Sequence, residues 1–133
     1  MSYFLDTNMC IYFLKGTYPV LLPKILSLHP SEIIIPAVVK AELIYGAEKS
    51  LKRDENIRKI TAFLLPFEIA PFGDSATFHY GKIRTSLEKS GMLIGPNDLF
   101  IAATVLAENG ILVTNNIKEF SRIPGLRLEN WIE

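Results

Sequence analysis

The sequence contains a single cysteine, Cys10, so no intrachain disulfide can form and the chain suits a reducing compartment. A free cysteine usually behaves as a small buried hydrophobe, and packing is the role expected of Cys10. Histidine is scarce too. His29 and His79 are the only two, neither stands with a nucleophile it could activate, and both read as structural or surface residues. Excess charge of either sign is missing: Lys plus Arg and Asp plus Glu number 14 each, which rules out a general positive field. Any contact with a polyanion must then rest on a local basic surface or on bound metal. Long apolar runs are absent as well, interrupted by Pro36, Asp98 or Gly110 well short of a membrane span. The opening Met-Ser-Tyr-Phe-Leu-Asp has no basic n-region, so it does not read as a signal peptide. A soluble, cytoplasmic chain with no membrane association is the expectation.

What is present points to one globular domain spanning 1–133. Apolar residues make up 49% and charged residues 21% of the 133, near the globular average. A domain of this size buries roughly two-thirds of its unfolded surface and needs no staple to fold. No internal repeat, low-complexity tract or linker interrupts it. Short apolar runs alternate with helical segments, which predicts an α/β fold with a central, largely parallel sheet flanked by helices. Strands are expected at Tyr3–Leu5, at Ile33–Ile35, at Phe67–Ala70, at Ile111–Val113 and near Leu126–Leu128. The three consecutive isoleucines mark a strand buried on both faces. Helices are expected from Thr7 to Lys15, stopped by Gly16, and from Pro19 to Leu28. Pro36 suits the first turn of a third, which carries Val39, Glu42, Leu43 and Gly46. Further helices span Asp54–Leu65, then Asp74, as N-cap, to Ser90, then Pro96 to Gly110, with a helical turn near Phe120.

The acids fall at informative places. Asp6 and Asn116 each follow a short β-like run, Asp98 lies in a first helical turn just after Pro96, and Glu42 sits inside a helix. In parallel α/β sheets, ligands bind outside the carboxyl ends of the strands, so these side chains can converge there. Gathered carboxylates repel one another and lose hydration unless a cation compensates. Oxygen donors without His or Cys favour Mg²⁺ or Mn²⁺ over Zn²⁺. Each acid alone has a plainer reading: Asp6 as a helix cap, Glu42 as a solvated helix residue, Asp98 as a complement to the helix dipole. Glu42 discriminates best, because Val39, Ala41 and Leu43 surround it and capping cannot explain it.

The ordered series Leu5-Asp6-Thr7-Asn8, Ala41-Glu42-Leu43-Ile44-Tyr45-Gly46-Ala47, Ile94-Gly95-Pro96-Asn97-Asp98 with Ile101-Ala102-Ala103, and Leu112-Val113-Thr114-Asn115-Asn116 with Glu119-Phe120 resembles the PIN domain of VapC toxins. The likeness covers nearly the whole chain, including Gly125-Leu126 and Asn130-Trp131. One such motif is weak; four in order are specific. The resemblance implies a PIN-like fold and an acidic pocket for Mg²⁺ or Mn²⁺, with ligands at Asp6, Glu42 and Asp98 and a fourth Asp or Asn at Asn116. Here that position is a neutral amide, which weakens a second metal site; Glu119 is an alternative contributor or a solvated helix residue. The implied activity is a Mg²⁺-dependent endoribonuclease, the toxin of a type II toxin–antitoxin pair, cutting transfer or ribosomal RNA to inhibit translation. Water activated by the metal would attack the phosphodiester in line, leaving 5′-phosphate and 3′-hydroxyl ends. The resemblance further implies homodimers, a cognate VapB-type antitoxin whose C-terminal segment covers the pocket, and operator DNA contacted only through that antitoxin.

Thr7 and Asn8 can hold the Asp6 carboxylate or cap the first helix; Thr114 is a further supporting residue, and Asn97 reads equally as an ordinary first-turn residue. For substrate, Lys40, Lys49, Lys52, Arg53, Arg58, Lys59, Lys82 and Arg84 offer cations, yet interspersed acids point to solvated helix faces instead. Tyr45, Phe100 and Trp131 are expected in the core rather than as base-stacking platforms, and core is favoured for Tyr12, Phe13 and Leu43 over an antitoxin groove. Two rivals are weaker: a phosphohydrolase with Asp6 as nucleophile, which usually needs a second acid where Asn8 stands, and a non-catalytic PIN-like module binding RNA or protein.

Overall fold

The computed structural model describes all residues from 1 to 133. Five parallel strands form one sheet in the order β3-β2-β1-β4-β5, with β1 at Tyr3–Leu5, β2 at Ile33–Pro36, β3 at Glu68–Ala70, β4 at Ile111–Val113 and β5 at Arg127–Glu129. The central strands are buried on both faces, as their unbroken apolar runs require. Seven helices connect them: α1 (Thr7–Lys15), α2 (Leu21–Leu26), α3 (Ala37–Glu48), α4 (Arg53–Leu64), α5 (Asp74–Ser90), α6 (Pro96–Ala107) and α7 (Ile117–Phe120). A continuous cluster of 29 buried apolar residues joins sheet and helices, a core of the kind a domain of this length can build. Cys10 is fully buried in that cluster, where burial pushes its thiol pKa up, so it serves as packing. Trp131 is buried too, tilted against Tyr3 and bonded through Nε1 to Glu129.

Several expected boundaries move, each for a local reason. The second helix covers only Leu21–Leu26 rather than Pro19–Leu28, and the chain is extended by His29, because the residue before Pro30 is pushed out of the α region. A short 3₁₀ turn, Pro30–Glu32, follows instead, where the His29 ring accepts from the Ser31 N–H and Glu32 reaches back to the His29 N–H. Pro36 is not in the first turn of α3: it ends β2, opposite Ala70, and stands at the helix N-cap in an extended conformation. Gly73 caps α5, with Asp74 one residue inside, where its charge still favours the positive helix end. The last strand sits one residue later than expected, with Arg127 opposite Ile111.

The chain winds outward from β1 through β2 to β3, then crosses back to place β4 on the other side of β1. The strand order therefore reverses between β1 and β4. Parallel strands share a direction, so their carboxyl ends lie along one edge, and the reversal opens a crevice there.

Candidate active site

Six of the expected residues meet in that crevice. Asp6, Thr7, Asn8, Glu42, Asp98 and Asn116, with Phe120, line one cleft of about 230 Å³. Asp6 follows β1 directly; its N–H bonds to the Val113 carbonyl of β4 at 3.1 Å, which pins it at the reversal point. Only 5% exposed, its carboxylate is held at both oxygens: Oδ1 accepts from the Met9 N–H at 2.9 Å, and Oδ2 from the Thr114 hydroxyl at 2.5 Å. The first bond is a helix N-cap, so Asp6 both caps α1 and faces the cleft. Thr114, fully buried just beyond β4, also accepts from the Asn116 N–H at 2.9 Å. One hydroxyl thus ties two cleft residues 110 positions apart in the chain.

Glu42 reaches the cleft from within α3. The Thr7 hydroxyl donates to its Oε1 at 2.5 Å, and the Asn97 amide to its Oε2 at 3.3 Å. Asp98 stands in the first turn of α6, opened by Pro96. Asn116 donates through Nδ2 to Glu119 Oε2 at 3.2 Å, so the neutral fourth position brings a carboxylate beside it. The bond to Glu42 decides for a supporting role at Asn97, which the sequence leaves open against an ordinary first-turn residue, and Phe120 walls the cleft without any expectation from the sequence. Asn97 adjoins Asp98, which was the available signal; nothing local marks Phe120.

The electrostatics are one-sided. None of the four ion pairs in the structure involves a cleft acid; they join Arg53 to Glu48 and Asp54, Lys59 to Glu55, and Arg84 to Glu88. Burial, then the charges of Glu42, Asp6 and Glu119, push the Asp98 pKa up to about 6. Asp6 is also raised, chiefly by burial, while the bonds from Thr114 and Met9 pull the other way and Glu42 adds to the rise. The acids do not form a closed cage of three ligating side chains. An all-oxygen set without a basic partner fits a hard divalent ion that keeps several waters and takes only one or two carboxylates directly, which is how Mg²⁺ binds.

The ion pairs also settle some of the surface lysines and arginines: Arg53, Lys59 and Arg84 stand on solvated helix faces among acids, as expected. Tyr45 corrects the expectation of a core residue. Its ring is 65% exposed, with Lys49 Nζ 4.7 Å above it, because its position on α3 points past the buried stripe of Val39, Leu43 and Ala47. Leu43 is buried, Tyr12 and Phe13 are partly buried against the core, and Phe100 is half-buried, stacked on Tyr80 with ring centroids 4.6 Å apart.

Comparison with known proteins agrees with the resemblance read from the motifs. The PIN-domain family profile matches residues 3–126. Ribonuclease VapC2 of Rickettsia felis is 49% identical over 133 residues, covering 98% of each chain, and the tRNA(fMet)-specific endonuclease VapC of Salmonella typhimurium is 37% identical over 131, again covering 98% of each. Among solved structures, VapBC2 from Rickettsia felis bound to a promoter DNA fragment superposes with a TM-score of 0.92 at 46% identity, covering 98% of this chain and 99% of that one. VapBC-1 from nontypeable Haemophilus influenzae gives 0.91 at 35% identity with full coverage of both chains. Matches of this extent, on a chain whose four motifs meet in one acidic cleft, establish that it belongs to the PIN-domain family, within the VapC ribonucleases.

Proposed function

We propose that the chain, working as one PIN domain over 1–133, is a Mg²⁺-dependent endoribonuclease, with Mn²⁺ able to substitute. The observation that carries this reading is the meeting of Asp6, Glu42 and Asp98 in one cleft at the reversal point of a parallel sheet, with no basic side chain to neutralise them. Asp6, Glu42 and Asp98 would hold the ion, with Asn116 offering its amide carbonyl. When bound, the ion polarises an attacking water and offsets charge on the phosphate oxygens. The remaining residues hold these donors in place. Thr114 and the Met9 N–H orient Asp6; Thr7 and Asn97 orient Glu42; each bond leaves further lone pairs on the carboxylate oxygens for a cation. Glu119, held by Asn116, adds negative charge that a neutral 116 would otherwise lack. Asn8 lines the cleft without a side-chain bond of its own and is assigned to the pocket wall. Cleavage would leave 5′-phosphate and 3′-hydroxyl ends.

The chain would act as the toxin of a type II pair in the cytoplasm, restrained by a VapB-type antitoxin, assembling as a homodimer and meeting operator DNA only through that antitoxin. Relatives named as VapBC complexes with DNA, and one named for transfer RNA, support this assignment. Transfer or ribosomal RNA is the proposed target, with inhibition of translation as the consequence. The structure has no helix long and apolar enough to cross a membrane.

Asp6→Asn, assayed on RNA with and without Mg²⁺, tests the chemistry: cleavage should require the metal and vanish in the variant, and undiminished cleavage by the variant disposes of the scheme. Mapping RNA ends after induced expression of wild type and Asp98→Ala identifies the target, as ends present in the first and missing in the second.

A further inference from the structure

A second cleft, sharing no lining residue with the acidic one, lies beside α7. It is lined by Ser86, Ser90, Met92, Lys118, Ser121 and Arg122, with Leu87 at its floor, and encloses about 470 Å³. The acidic cleft is touched by Asn116 and Phe120 and the basic one by Lys118 and Arg122, two pairs each four residues apart and offset by two. The short helix α7 and the turn after it, closed by the bonds from Ser121 to Ile117 and from Arg122 to Glu119, therefore contribute to both clefts. The stretch from Met92 through the first turn of α6 also serves both clefts, with Met92 in one and Asp98 in the other, and Arg122 Nη1 donates to the Met92 carbonyl at 3.3 Å. The two clefts thus flank the same short stretch of chain.

The lining carries two cations, three hydroxyls and no acid, in a chain whose net charge is zero. Neither Lys118 nor Arg122 joins an ion pair, unlike Arg53, Lys59 and Arg84. A polyanion brought to a group of acids is repelled wherever the bound ion does not screen it, so the strand beside the scissile group needs a local positive partner. We propose that the cleft of Lys118 and Arg122 is a subsite for a backbone phosphate of the RNA strand flanking the cleaved bond. This deepens the nuclease reading and rests on it. Lys118 supplies an unpaired point charge; Arg122, fixed by Met92, keeps further N–H donors for phosphate oxygens; Ser86 has no intramolecular side-chain bond and adds a free hydroxyl.

The test is equilibrium binding of a fluorescein-labelled, mixed-sequence 12-nucleotide RNA to the full chain carrying Asp98→Asn, so that the probe stays intact, over a series of salt concentrations. Lys118→Ala should weaken binding about fivefold and lower the slope of log affinity on log salt by about 0.7, the contribution of one phosphate contact on a single strand. Lys118→Arg should restore both, and adding Arg122→Lys to Lys118→Arg should leave the slope at the parent value, since charge is conserved. In the chain with Asp98 intact, Lys118→Ala should raise KM with kcat nearly unchanged. Parent-like affinity and salt slope in Lys118→Ala, while the Asp98→Asn parent binds RNA and the chain with Asp98 intact cuts it, would overturn the subsite alone. Failure of the chain with Asp98 intact to cut RNA would overturn the nuclease reading, and the subsite with it.

Discussion

Asp98 carries a cost that its neighbours impose. Its folded pKa, about 6, lies above the ordinary 3.8, so the folded state binds the proton more tightly than the unfolded chain does. Above pH 6 the charged form is fully penalised; as pH falls from about 6 toward 3.8 the penalty disappears and the metal-free protein gains stability. Asp6, raised in the same direction, adds to the trend. Thermal melts in chelator should therefore show Tm rising from pH 7 to pH 5, and Asp98→Asn should melt higher than wild type at pH 7 while losing cleavage. Mg²⁺ should raise Tm at pH 7 more in wild type than in that variant, because the variant lacks the carboxylate proposed to hold the ion. Thr114 shows the opposite sign. Its hydroxyl serves Asp6 and Asn116 together, and Thr114→Val should cost about 1–3 kcal/mol in denaturant unfolding through the unpaired carboxylate oxygen and N–H it leaves.

At the scale of elements, the helix starts do the positioning. The same Asp6 that faces the cleft caps α1, so chemistry and folding respond differently to its replacement. Asp6→Asn keeps an acceptor for the Met9 N–H and should hold stability while cleavage fails; Asp6→Ala should lose about 1 kcal/mol more in urea unfolding. At the opposite end of the sheet, Gly110 leads α6 into β4 against the ring of Phe4. A methyl group there would drive into that buried ring, with the Ser2 carbonyl close behind it, so Gly110→Ala should cost about 1–3 kcal/mol by thermal or urea melt. Such a change lies far along the strand from the acids and should lower stability without a matching fall in the specific activity of the folded fraction.

For the whole molecule, folding should be separable from the metal binding proposed for the cleft. The sheet and helices close over a core of 29 buried apolar residues, so chelation should abolish cleavage while leaving the far-ultraviolet circular dichroism of the protein unchanged. Loss of helical signal on chelation would contradict that division. With equal numbers of cations and anions, the molecule also has little long-range field, and its affinity for RNA should come from local contacts.

Periodicity and punctuation in the sequence were enough to determine the alternation of strands and helices, the parallel sheet and the acids placed at strand ends and helix starts. These follow from local physics: β-branched runs such as Ile33–Ile35, stops such as Gly16 and Gly91, both in the left-handed conformation, and openers such as Pro96 act over a few residues. Proline effects around Pro30 and Pro36 were less legible, since their outcome depends on what the neighbouring strand offers. Only the tertiary structure decided that Thr114 would hold Asp6, that Asn97 would hold Glu42, that Phe120 would wall the cleft and that Tyr45 would stand in solvent. Those pairings span 108 and 55 residues, and no propensity reaches that far; the strand crossover that sets β4 beside β1 brings them together.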